Sequence, residues 1–137
     1  VSVFYGCLNS RSGELVYCNA GHPPPVFIRD ADHRTGQKLT RTGTALGISD
    51  DSSWETGKIQ FSRDDLLLLY TDGLTDAENV AGEFFGEQAI IASLVNNRSQ
   101  HVLEIHRSLL AEVENFVGDA PQHDDIALIF VKRDREG

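Results

Sequence analysis

Methionine is absent from the 137 residues, tryptophan occurs once, cysteine twice and proline four times. A chain that opens on Val1 without an initiator is expected to be processed, or to be a piece of something longer. Two cysteines, Cys7 and Cys18, exclude a disulfide framework and fit reduced thiols in a cytoplasmic protein. Basic residues are scarce: 12 Lys and Arg against 21 Asp and Glu leave a net charge of −9. That balance disfavours nucleic acid and anionic membrane surfaces, since both need a basic footprint. Long apolar runs are missing too. Leu66–Tyr70 and Ile126–Val131 are the longest, far below the ~20 residues of a membrane span. No cleavable signal pattern opens the chain. Gly-x-Ser-x-Gly, Cys-x-x-Cys, His-Glu-x-x-His and a Gly-rich loop before Lys are all absent. A nucleophile elbow, a zinc site and a phosphate loop are therefore unsupported.

What is present reads as one globular domain over 1–137, with 40% hydrophobic and 24% charged residues. The first half is strand-like. Val1–Leu8 is rich in β-branched and aromatic residues, and Asn9–Gly13 is turn chemistry. Leu15–Ala20 reads as the return strand of a hairpin, a pairing that would bring Cys7 and Cys18 near each other. Gly21–Pro25 stops that strand. Val26–Arg29 is a short strand, Asp30–Gly36 a turn, and Gln37–Arg41 its partner strand. Thr42–Asp51 is a loop and Trp54–Phe61 an edge strand. The continuous apolar run Asp65–Thr71 predicts a strand covered on both faces. The period then changes. Gly73–Glu78 predicts a turn of helix, and Glu87–Asn96 a helix with Ile90, Ile91, Leu94 and Val95 on one face. A longer helix capped by Ser99 carries the stripe Val102, Ile105, His106, Leu109, Leu110, Val113, Phe116, Val117 and stops at Gly118. Asp125–Lys132 closes the chain as a strand. Strands, two helices and a strand make an α+β fold, mostly antiparallel.

Three segments carry candidate chemistry. In Tyr70–Asn79, Asp72 sits at the end of a Leu-rich strand, where an ionised carboxylate needs compensation. A divalent cation would supply it, with Gly73 allowing a sharp backbone turn; a simple helix cap is the plainer alternative. In Pro121–Ile129, the adjacent Asp124 and Asp125 repel each other unless a cation intervenes, and hard oxygen donors suit Mg²⁺ or Mn²⁺. The plainer alternative is a polar loop before a strand. The third is Tyr17–Pro25, where His22 is a ligand, a phosphate contact, an acid, or the hydrogen-bonded part of a rigid turn.

Taken in order, Asn19-Ala20-Gly21-His22-Pro23-Pro24, Leu46-Gly47, Thr71-Asp72-Gly73-Leu74-Thr75-Asp76-Ala77, Phe85-Gly86 and Asp124-Asp125-Ile126-Ala127 resemble one family. It is the bacterial metal-dependent protein phosphatase of the protein phosphatase 2C type, in its stage II sporulation protein E-like subfamily. The resemblance covers about Phe4 to Val131 and matches the C-terminal part of the domain. It implies a two-sheet antiparallel β-sandwich flanked by helices, here partial and lacking N-terminal elements. It implies two Mn²⁺ or Mg²⁺ ions and a metal-activated water that attacks phosphoserine or phosphothreonine. By motif match Asp72 and Asp124 are metal ligands. Asp125, Gly73, His22 and Asn19 are accessory, and His22 is assigned a phosphate or water contact. The substrate implied is a regulatory phosphoprotein such as an anti-sigma-factor antagonist.

The family's first metal motif, a Gly-Asp with an aromatic and a further Asp, has no counterpart in this sequence. The expectation is a truncated domain without activity of its own, whose uncovered edge promotes self-association. A non-catalytic module that uses the fold for binding is the competing reading. It leaves Asp72 and Asp124 without a purpose, and the sequence upstream of Val1 in the parent gene separates the two.

Overall fold

The computed structural model describes residues 1–32, 36–122 and 124–134. His33 and His123 lie outside the described residues, as does the middle of the expected Asp30–Gly36 turn.

The hairpin forms as the sequence dictates. β1 (Val3–Leu8) pairs antiparallel with β2 (Glu14–Ala20). Asn9 builds the turn, its Oδ1 accepting from the backbone N–H groups of Arg11 at 3.0 Å and Ser12 at 3.1 Å. The register sets Tyr5 opposite Cys18 and Cys7 opposite Val16, so the two cysteines are diagonal neighbours and both are free thiols. β3 (Val26–Ile28) and β4 (Gln37–Lys38) follow, then β5 (Gly57–Gln60) and β6 (Leu66–Tyr70). The expected strand from Trp54 begins only at Gly57, because the Trp54 indole donates to the Thr44 carbonyl at 2.7 Å and holds that stretch to the preceding loop. After the short α1 (Asp72–Thr75) come α2 (Gly86–Asn97), α3 (Val102–Val117) and the closing β7 (Leu128–Lys132).

The strands form two antiparallel sheets, β1-β2-β5 and β4-β3-β6-β7. β6 lies between two cores, and its period of two divides its side chains between them. Leu67, with Phe27, Leu39, Ile59, Phe61 and Leu15, fills the space between the sheets. Leu66, Leu68 and Tyr70 face the opposite way, against Ile90 and Leu94 of α2 and Ile105, Leu109 and Val113 of α3. That placement explains why the run is apolar without alternation. Ser93 of α2 donates to Glu112 of α3 at 3.0 Å, tying the helices together.

The α3 boundaries match the predicted stripe, and Gly118 ends the helix at φ +57°. Its cap differs from expectation. The helix starts at Val102, so His101 rather than Ser99 caps it, its Nδ1 accepting from the Leu103 N–H at 3.2 Å.

Candidate active site

Thr71 brings the two aspartate segments together. It follows β6 and is the N-cap of α1, yet its side chain makes no cap hydrogen bond. Its hydroxyl instead accepts from Ala127 N–H at 3.0 Å and donates to the Asp125 carbonyl at 3.3 Å, while its own N–H donates to the Ala127 carbonyl at 3.1 Å. The 124–127 segment is thereby clamped beside the start of α1, and β7 begins only at Leu128 rather than at Asp125. Gly73 completes the fit. A Cβ there would lie 2.3 Å from the Asp125 carbonyl oxygen and 3.3 Å from the Asp124 Cβ. Only a glycine lets the helix turn approach this closely.

Asp72, Asp124 and Asp125 are all exposed at this rim. Among the described residues their carboxylates make no hydrogen bond or ion pair, so Asp72 does not serve as a helix cap. Beside them opens a groove of about 590 Å³ between α1 and the end of α3, floored by Leu110, Val113 and Val117. Asp76, Glu78, Glu114, Asp124 and Asp125 line it, and no Lys or Arg is among its described lining residues. A groove lined by carboxylates without a Lys or Arg favours a cation over an anion. The donors suit a hard divalent ion in kind. In number they are few: among the described residues no three His, Cys, Asp or Glu side chains are grouped to hold one ion.

Tyr70 stands just behind the rim and is 4% exposed. Burial pushes its phenol up to about 12, with the Glu87 carboxylate adding to the effect.

Asn19 and His22 form a separate group. Asn19 is fully buried and its amide donates to the Leu39 carbonyl at 3.0 Å, while its Oδ1 accepts from the His22 N–H at 2.9 Å. The His22 Nδ1 lies 2.8 Å from the Pro23 carbonyl. Gly21, at φ +78°, packs against Ala45, the residue before the Leu46-Gly47 piece. Val26 pairs with Leu68, which places the 21–25 segment at the same end of the sandwich as Asp72. No hydrogen bond among the described residues joins this group to Asp72, Asp124 or Asp125. Thr71 went unassigned in the sequence; a β-branched hydroxyl between a strand and an Asp-Gly pair is the signal that marks it. Phe85-Gly86 falls with the aspartate group, since Phe85 N–H donates to the Ala77 carbonyl at 2.8 Å.

The family model of the stage II sporulation protein E (SpoIIE) family matches residues 1–134. Protein IcfG of Synechocystis sp. is 34% identical over 132 residues, which is 96% of this chain and 20% of that protein. Phosphoserine phosphatase RsbU of Bacillus subtilis is 28% identical, over 97% of this chain and 39% of that protein. This chain therefore spans between a fifth and two fifths of the length of these curated relatives. The SiaA-PP2C domain of Pseudomonas aeruginosa superposes with a TM-score of 0.75 at 21% identity, covering 89% of this chain and 47% of that one. At that identity the likeness bears on the fold, and it agrees with a two-sheet PP2C-like architecture with flanking helices.

Proposed function

We propose that this chain, which belongs to the stage II sporulation protein E family of PP2C-type serine/threonine phosphatases, carries one acidic wall of a Mn²⁺- or Mg²⁺-dependent phosphatase site. The observation that supports this reading is the Thr71 clamp with the close approach at Gly73, which set Asp72 beside Asp124 and Asp125. In this reading Asp72 and Asp124 hold the cation, with Asp125 as an accessory group. Gly73 keeps the two segments within one ion's reach, and Thr71 fixes their spacing. When bound, a divalent cation activates water and neutralises phosphoryl oxygens, chemistry that needs no protein nucleophile. Asn19 holds the turn that presents His22 at the same end of the sandwich, as a contact for phosphate or water. The substrate is phosphoserine or phosphothreonine on a regulatory protein, of which an anti-sigma-factor antagonist is one kind. A cytoplasmic setting suits free thiols and is compatible with the described residues, none of whose helices is long and apolar enough to cross a membrane.

The small number of grouped donors among the described residues supports a partial ion shell in this chain alone. The test is Mn²⁺ binding by electron paramagnetic resonance, together with phosphoserine-peptide hydrolysis. The expected result is weak Mn²⁺ binding, lost in Asp72→Asn and in Asp124→Asn, with negligible turnover. Binding untouched by both substitutions refutes the site. Robust Mn²⁺-dependent turnover abolished by Asp72→Asn refutes the partial shell.

A further inference from the structure

We propose that the groove at the far end of the sandwich docks an acidic segment of a partner protein. The chain has 12 Lys and Arg against 21 Asp and Glu. Four of those cations, Arg11, Arg63, Lys132 and Arg133, line one groove of about 660 Å³ whose only carboxylate among the described lining residues is Asp134. Arg11, Arg63 and Arg133 make this a basic patch on an acidic chain. The ion pairs Arg29–Asp65, Lys38–Glu87, Arg98–Asp30 and Arg107–Glu104 use other cations.

The groove is built rather than incidental. The Arg133 guanidinium donates to the carbonyls of Arg11 at 3.0 Å, Ser12 at 3.1 Å and Phe61 at 2.7 Å. The Lys132 ammonium donates to the carbonyls of Arg98 at 2.9 Å and Gln100 at 2.6 Å. These bonds fix both side chains; the Arg133 charge stays at the groove because carbonyls carry no net charge, whereas Lys132, opposite Leu66 on the helix-facing side of the sheet, carries its ammonium to the end of α2. A Cβ on Gly13 would lie 2.5 Å from the Phe61 carbonyl oxygen, which locks the hairpin turn to the other wall. Arg11 and Arg63 flank the opening as exposed guanidinium groups.

The same features select the occupant. The volume exceeds that of a small anion, and Leu8 and Val131 add apolar surface to the charged walls. Phe61 is 2% exposed, so no aromatic face of the groove is open for stacking a base. The net charge of −9 opposes an extended polyanion. A short acidic peptide with apolar residues meets both the charge and the surface. In the β6–β7 pair, Leu66 lies opposite Lys132 and Tyr70 opposite Leu128. Those four residue steps, roughly 13 Å of strand, lie between the two ends, and the acidic rim begins beyond them at Asp72 and Asp125, so a partner held here leaves that rim open. The inference stands independently of the phosphatase reading.

The test is fluorescence anisotropy of the full chain with a short fluorescein-labelled peptide of Glu, Asp and Leu. Saturable binding is expected, weakening more than about tenfold between ~0.05 and ~0.3 M salt. Arg11→Glu with Arg63→Glu is expected to weaken it at least about tenfold at an unchanged melting temperature. The neutral pair Arg11→Gln with Arg63→Gln gives a smaller loss and serves if charge reversal impairs folding. The proposal is overturned by absence of saturable binding or by equal binding in both double variants. Equally tight binding of a Lys/Leu peptide, or of a single-stranded oligonucleotide, also overturns it.

Discussion

Gly73→Ala sets two physical effects of opposite sign against each other. Gly73 lies within α1, at a φ that any residue adopts, so helix propensity alone predicts that alanine stabilises by about 0.5–1 kcal/mol. Packing predicts the reverse. The new Cβ would lie 2.3 Å from the Asp125 carbonyl oxygen, where real contacts essentially never fall below 3.0 Å. One backbone must retreat by at least about 0.7 Å, the difference between those two distances. Overpacking of this kind costs about 1–3 kcal/mol. The retreat also stretches the three Thr71 hydrogen bonds to the 125–127 segment, and loss of even one costs about 1 kcal/mol. The net expectation is a loss of about 1–3 kcal/mol, which lowers the melting temperature by about 3–5 °C per kcal/mol at this chain length. Urea denaturation followed by circular dichroism measures it. Thr71→Val, which removes the clamping hydroxyl at constant shape, is the companion variant. Because both changes loosen the same contact, their combined cost is expected to fall short of the sum. A Gly73→Ala protein as stable as wild type, or more stable, refutes the packing account. Strict additivity with Thr71→Val refutes the shared clamp.

Three further outcomes follow from the geometry. Tyr70 keeps its proton up to about 12 in the folded state against an ordinary 10, so between those values the native state binds more protons than the unfolded one and stability falls as pH rises. The loss reaches about 2–3 kcal/mol, and urea unfolding on either side of that window should show it in wild type but not in Tyr70→Phe. Asn19→Ala leaves the Leu39 carbonyl and the His22 N–H without their partner and is expected to cost about 2–4 kcal/mol by the same assay; a loss under about 1 kcal/mol contradicts that accounting. β1 is a six-residue strand at the edge of its sheet, without charge or proline, and Tyr5 on it is 70% exposed, so light scattering is expected to show concentration-dependent association that Tyr5→Lys suppresses; a monodisperse monomer at high concentration counts against it.

Local patterns made much of this fold legible. The hairpin needed only its turn residues and two strand-like runs, and the α3 stripe gave the C-terminal helix end because the period of three and four stops where Gly118 begins. What stayed hidden depends on contacts distant in sequence. Asp125–Lys132 reads as one strand, but Thr71 takes the hydrogen bonds of Asp125 and Ala127, so pairing starts at Leu128. Trp54 looks like a strand residue, yet its indole is tied to Thr44. One difference is local instead: the chain winds into helix only after His101, whose ring accepts the orphan Leu103 N–H in place of the expected Ser99 cap. The five motif pieces were legible as a set, whereas their division into an aspartate group and an Asn19–His22 group was not.

The two ends of β6 show why a candidate site cannot be read from residue type alone. The run Asp65-Leu66-Leu67-Leu68-Leu69-Tyr70-Thr71-Asp72 places an aspartate at each end of one buried strand, and the two look alike in sequence. Asp65 is 2% exposed and accepts from Asp30 N–H at 2.9 Å and Ser62 N–H at 2.7 Å, with Arg29 3.7 Å away. Its charge is met by backbone donors and one cation, as burial demands. Removing it would strand those donors, so its role is structural. Asp72 is exposed, makes no such bonds among the described residues, and lies between Thr71 and Gly73, which both contact the segment that carries two more carboxylates. Its charge is met by no donor or cation among the described residues, which leaves it available to a divalent cation. Asparagine at position 65 should therefore destabilise the fold with or without Mn²⁺. At position 72 it should leave metal-free stability nearly unchanged and remove the Mn²⁺-dependent part. Equal effects at the two ends, measured by thermal melts with and without Mn²⁺, would show that the environments do not separate structure from function as argued.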